Sequence, residues 1–134
     1  MDTSLLLKNN GLRVTEIRLA LINTLNNSSY ALPYDELQQR LSKFDRTTLY
    51  RSLLSLMNHG IIHKALEENG QSFYAICHSC SHHGHDHKHV HFRCIKCQGV
   101  QCIPMDKNIS FSLPNVKVDS IDITARGICG NCLA

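Results

Sequence analysis

Two pairs of cysteines and a run of histidines are the residues of this chain best suited to chemistry. Cys94-x-x-Cys97 is answered, after 31 intervening residues, by Cys129-x-x-Cys132. A C-x-x-C knuckle bends the backbone so that both sulfurs reach one ion at about 2.3 Å, and a second knuckle completes a tetrahedron. Four thiolates suit zinc and leave no coordination position open, which predicts a structural ion rather than a catalytic one. Between Cys77 and Cys102 lie five of the seven cysteines and seven of the nine histidines, a density of soft and imidazole donors that points to further metal binding. A pair of disulfides is the alternative use of the knuckles. The abundance of free His and Cys and the lack of a secretory signal argue against it.

The same residues do not suggest an enzyme. A zinc hydrolase would be expected to carry an H-E-x-x-H helix, which is missing, and no candidate general base stands beside an open metal position.

The chain of 134 residues fits one ordinary domain or two small ones. Its hydrophobic fraction of 43% is enough for a core, but with only four Tyr, four Phe and no Trp a small C-terminal half needs a staple. Structural zinc contributes on the order of 10–16 kcal/mol in small domains, so its removal is expected to unfold that half. The segment MDTSLLLKNN has no basic n-region, and no apolar run approaches about 20 residues, so neither a signal peptide nor a membrane span is predicted. Reduced ligand cysteines then place the chain in the cytoplasm. The net charge of +3 is mild, and any nucleic-acid contact must rest on geometry.

Residues 1–60 read as helical. Thr3 is expected to cap a short first helix that Asn9-Asn10-Gly11 ends, and Thr15 a second, with Ile17, Ala20, Leu21, Thr24 and Leu25 as its apolar stripe. Pro33 opens a third helix through Leu37 and Leu41. Asp45 caps a fourth, RTTLYRSLLSLMNH, which Gly60 terminates. In it Leu49, Leu53, Leu56 and Met57 form the buried stripe, while Thr47, Thr48, Arg51 and Ser55 lie opposite with Tyr50 at the edge. That leftover face packs poorly but suits phosphates and base edges. Two partnerless packed helices are the bland reading of residues 34–60.

After Gly60 the period changes to that of strands, and Ile61–Leu66 and Ser72–Ile76 flank an Asn-Gly turn. Helices followed by a hairpin describe a winged helix-turn-helix. From Phe92 onward HFRCIK, GVQCIP, NVKV and SIDITA alternate as strands, with Pro104 and Pro114 bracketing a middle that has room for a brief helix. The fold class expected is α+β: a winged helix-turn-helix followed by a small C-terminal α/β domain stapled by the four cysteines.

Several motifs, in order along nearly the whole chain, resemble the ferric uptake regulator family of metal-dependent bacterial repressors. They are Gly11-Leu-Arg13-Val-Thr15-x-x-Arg18, Thr48-Leu49-Tyr50-Arg51, Gly60-Ile-Ile, and His89-x-His91-x-x-Cys94-x-x-Cys97 leading to Cys129-x-x-Cys132. The resemblance implies a DNA-binding domain over 1–76, a hinge over 77–91 and a zinc-stabilised dimerisation domain over 92–134. It also implies that Tyr50 and Arg51 approach the major groove and Arg13 the DNA backbone. A homodimer of such heads would favour an AT-rich palindromic operator.

In zinc-sensing members of the family a cysteine follows the second wing strand, and Cys77 stands there; iron and peroxide sensors carry a carboxylate nearby and a histidine where this chain has Ala31. The chain therefore resembles the zinc uptake regulator branch, with Zn2+ favoured over Fe2+ by the thiolate. The regulatory ligands so implied are His63, Cys77, His89 and His91. Cys102, at a position often acidic in relatives, is a candidate fifth ligand or a substitute for one histidine. A third site carried by some relatives meets Ile121 here and is expected to be absent. The function expected is a zinc-responsive repressor that binds operator DNA as a dimer. The rivals are an iron- or peroxide-responsive regulator of the same family, and a zinc buffer or chaperone built on the histidine-rich insert 78–88, itself either a scavenger of metal or an idle loop.

Overall fold

The structure, a computed structural model, describes residues 2–76, 89–104, 112–119 and 121–134. Helix α1 (Thr3–Asn9) is capped by Asp2 rather than Thr3. An N-cap side chain must reach the amide three residues on, and Asp2 Oδ1 accepts from Leu5 N–H at 3.1 Å. Thr3 lies inside the helix and donates its hydroxyl to Asn23 Oδ1, tying α1 to α2 (Glu16–Asn26). Thr15 caps α2 as expected. Ile17, Leu21 and Leu25 are buried, joined by Ile22 on the same side.

Strand β1 (Leu32–Pro33) leads directly into α3 (Tyr34–Arg40), and α4 spans Arg46–Asn58 under an Asp45 cap. Leu49, Leu53 and Leu56 of α4 are almost fully buried, in one core with Leu7, Leu21, Ile22 and Leu37. Gly60, at φ +72°, turns the chain out of the helix, a backbone conformation that favours glycine. Strands β2 (Ile62–Glu68) and β3 (Gln71–Ile76) form the wing. Asn69 and Gly70 both have positive φ, as the tightest hairpin turns require. β1 adds to the outer side of β3, giving the order β1-β3-β2.

The second sheet has the order β5-β4-β6, from β4 (His89–Cys94), β5 (Val100–Pro104) and β6 (Thr124–Gly127). β4 and β5 run antiparallel, β4 and β6 parallel. NVKV forms no strand: Asn115 takes φ +64° and residues 115–118 are exposed, so alternation there has no buried face to serve. Within SIDITA the strand begins only at Thr124, where pairing with His91 becomes available. The brief helix considered between Pro104 and Pro114 falls largely on residues 105–111, outside those described; Ser112 and Leu113 are not helical. A last turn of helix, α5 (Gly130–Leu133), follows Cys129.

The two sheets meet through a small apolar cluster of Ala31, Ala65, Phe73 and Val100. Beside it Ala31 N–H donates to Val100 C=O at 2.6 Å.

Candidate metal centres

The four knuckle cysteines come together. The sulfurs of Cys94, Cys97, Cys129 and Cys132 all lie within 4.8 Å of one another, and those of Cys97 and Cys129 are 3.8 Å apart. A tetrahedron with metal–sulfur bonds of about 2.3 Å has edges of about 3.8 Å, so the set fits a tetrathiolate ion. All five described cysteines are free thiols.

Backbone amides prepare the sulfurs for negative charge. Cys97 and Cys129 N–H both point at Cys94 Sγ at 3.4 Å, and together they pull the Cys94 thiol down to about 6. The Cys129 thiol is lowered by the Cys132 amide and then by the Tyr30 hydroxyl. Cys132 is pushed up to about 12, first by its hydrogen bond with Cys129 and then by burial. The cluster sheds its first protons readily and holds one of the last, which a bound cation would help to displace.

A second cluster joins the two sheets. His63 is 6% exposed on β2, its Nε2 lies 3.0 Å from Cys102 Sγ on β5, and its ring is edge-on to His91 on β4 with centroids 5.6 Å apart. Donor atoms of the three residues lie within 4.8 Å of one another. The β4–β5 register explains half of this, because His91 and Cys102 are direct cross-strand partners whose side chains share one face. Burial pushes the Cys102 thiol up to about 11. Two imidazoles and a thiolate make a borderline-soft donor set that suits zinc.

Of the regulatory ligands expected from sequence, His63 and His91 are therefore brought together, and Cys102 joins them. Cys77 and the insert 78–88 lie outside the described residues. His89 is described only in its backbone, where it pairs with Pro104.

The expected DNA face lies on the first two turns of α4. Thr47 and Arg51 are exposed, as is Arg13 ahead of α2. Tyr50 is 49% exposed and stands edge-on to Tyr34. Thr48 is less available than expected, because its hydroxyl donates to Asp45 Oδ2 at 2.6 Å within the cap, and that bond leads the contacts that lower the Asp45 carboxyl. Ser55 does not belong to this face: it is half-buried against α2 and takes a hydrogen bond from Arg18 Nη2.

Three contacts between the halves carried no local signal in the sequence. Tyr30 Oη lies 3.7 Å from Cys129 Sγ, Asn131 Nδ2 donates to Tyr30 Oη at 3.0 Å, and Glu68 is flanked by Arg93 and Arg126.

A winged helix-turn-helix joined to a sheet that carries a four-cysteine cluster defines a metal-binding regulator of transcription. The chain belongs to the ferric uptake regulator family, whose model matches residues 9–117. A ferric uptake regulation protein of Staphylococcus epidermidis is 31% identical over 140 residues, covering 98% of this chain and 94% of that protein. The Vibrio cholerae ferric uptake regulator has the same fold, with a TM-score of 0.64 at 23% identity over 96% of this chain and 100% of that one. So does a zinc uptake regulator solved in complex with zinc and DNA, with a TM-score of 0.62 at 22% identity over 99% and 96%. Regulators of this family are metal-responsive transcription factors rather than enzymes, and this chain is one of them. No described helix is long and apolar enough to cross a membrane.

Proposed function

We propose that this chain is a zinc-responsive repressor that binds operator DNA as a homodimer. The observation that carries the reading is the His63–His91–Cys102 cluster, which draws one donor from the wing and two from the second sheet. A thiolate in place of a carboxylate favours zinc over ferrous iron. Cys77 and His89 are proposed to complete the set. An ion held there would supply bonds common to both sheets, and His63 would then hold the wing, and α4 with it, at one position relative to the second sheet.

Residues 1–76 are proposed as the DNA-binding domain, 77–91 as the hinge and 92–134 as the dimerisation domain. Tyr50, Arg51 and Thr47 would meet the major groove, Thr48 through the part of its surface left by the Asp45 cap, and Arg13 the backbone. Exposed Ile95, Ile103 and Leu133 give the second half apolar surface for a partner copy. A dimer with two such helices would read a palindrome, which the family resemblance makes AT-rich. Cys94, Cys97, Cys129 and Cys132 would hold the structural zinc.

Fluorescence anisotropy with an AT-rich palindromic duplex, under buffered Zn(II) or anaerobic Fe(II), tests this. The expected result is tight binding with Zn(II), little with Fe(II), and a loss of about 10- to 100-fold in zinc sensitivity for His63→Ala or Cys102→Ser. Activation by Fe(II) alone would make the chain an iron sensor. Uptake of many ions without DNA binding would make it a buffer.

A further inference from the structure

The contact between Tyr30 and the four-cysteine cluster joins parts of the chain that sequence gives no reason to connect. Tyr30 immediately precedes Ala31 and β1, and β1 runs without a break into α3, the first helix of the helix-turn-helix. Its phenol lies 3.7 Å from Cys129 Sγ, and Asn131, one position before Cys132, donates to the phenol oxygen at 3.0 Å. Asn131 Nδ2 therefore feeds Tyr30, and Tyr30 O–H is left to donate to the sulfur. A phenol donating to a thiolate disperses the sulfur's charge and fixes its orientation.

Packing alone does not hold the ring there. Tyr30 borders a cleft of about 500 Å³ shared with Arg40, Phe73 and Cys132, and a smaller one of about 170 Å³ shared with Ala75 and Cys102. Ser28 Oγ fixes the Tyr30 backbone, donating to its C=O and accepting from its N–H, the polar chain holds the phenol, and Gly99 leaves room for the ring. A Cβ on Gly99 would lie 2.7 Å from two ring carbons of Tyr30, so only glycine admits the ring at this depth beside the first knuckle. One residue further, Ala31 N–H closes on Val100 C=O. The start of β1 is thus clamped to the loop that follows Cys97 and to the helix that carries Cys132.

We propose that Tyr30 is a positioning residue that ties the four-cysteine centre to the start of the helix-turn-helix, so that metal in this centre orders β1 and α3 as well as the second sheet. The inference rests on the reading of the four cysteines as a metal centre and is independent of which ion fills the His63–His91–Cys102 cluster.

The test uses the full-length chain with Co(II) in the four-cysteine centre, comparing wild type with Tyr30→Phe, which keeps the ring and removes only the hydroxyl, and with Gly99→Ala. The latter keeps the hydroxyl, displaces the ring and also brings a methyl to 3.3 Å from Cys97 Sγ, so the band is read on Tyr30→Phe. Without the phenol the sulfur lone pairs rise in energy, so the sulfur-to-cobalt charge-transfer band is expected to move to lower energy. Metal release to a chelator is expected to be about tenfold faster. Hydrogen exchange across residues 31–37 is expected to quicken by about tenfold in both variants, as for one lost hydrogen bond to a charged partner, and by more than that in metal-stripped wild type, where the second sheet is lost as well.

A wild type without the cobalt spectrum of four thiolates overturns the metal reading and this inference with it. A normal wild-type band with an unshifted Tyr30→Phe band overturns the role of Tyr30 alone. A shifted band with unchanged exchange across residues 31–37 overturns the coupling to the helix-turn-helix.

Discussion

Cys102 is the residue at which the chemistry of the second cluster turns. Burial pushes its thiol up to about 11, so near neutral pH it carries a proton that a metal must displace. The sign follows directly: binding releases that proton, so higher pH favours the bound form. Apparent zinc affinity at this cluster is expected to rise about tenfold for each pH unit above the histidine range and below that thiol value, as read by competition with a chromophoric chelator between pH 7 and 8. Cys102→Ser should bind more weakly and lose the part of the slope, about tenfold per unit, that the Cys102 proton supplies; an equal slope in the variant would remove Cys102 from the ligand set. Sequence alone marked His91 through a family motif and His63 as a ligand the resemblance implies, but left Cys102 undecided between added ligand and substitute. The missing information was register: the pairing of His91 with Cys102 depends on a turn after Cys97 and on Gln98 at φ +66°, details no residue count supplies.

Elements defined by local signals were legible, and those defined by distant contacts were not. Thr15, Asp45 and the Asn69-Gly70 turn act within a few residues of themselves, and each behaves as its type predicts. β1 has two residues and exists only because β3 passes beside it, while NVKV has the alternation of a strand but no such neighbour among the described residues. The ionic contact at the wing tip is equally non-local. Glu68 Oε1 lies 2.9 Å from Arg126 Nη1, and Oε2 lies 3.6 Å from Arg93 Nε; Arg93 also covers the Phe73 ring at 5.1 Å. Glu68 Oε2 and Arg93 Nη1 are buried without a hydrogen-bond partner, so this contact is imperfectly satisfied on its Arg93 side. Glu68→Gln is expected to weaken docking of the wing on the second sheet by about 1–2 kcal/mol, between the values of an exposed and a buried pair. High salt should weaken the wild type more than the variant. Hydrogen exchange of β2 and β3 in low and high salt checks this, and identical salt responses would show that the pair holds nothing.

At the scale of the whole molecule the two halves differ in what stabilises them. The N-terminal half has a contiguous core in which Leu7, Leu21, Ile22, Leu37, Leu53 and Leu56 are 0% exposed. In the second half, among the described residues, Cys94, Val100 and Cys129 are the buried side chains, while Ile95, Leu113, Val116 and Leu133 are more than half exposed. Burying each large apolar side chain is worth about 1.5–3 kcal/mol, so a core this small is outweighed by zinc's contribution of about 10–16 kcal/mol. Stripping the four-cysteine centre, or replacing Cys94 by Ser, is therefore expected to unfold the second sheet while α1, α2 and α4 survive. Far-UV circular dichroism would keep its helical bands, and limited proteolysis would leave a resistant fragment ending near Ile76. Full loss of helical signal on chelation would mean that the docking through Ala31, Phe73 and Tyr30 makes the chain one cooperative unit. Retention of the second sheet would mean that a partner copy covering its apolar surface stabilises it more than the metal does.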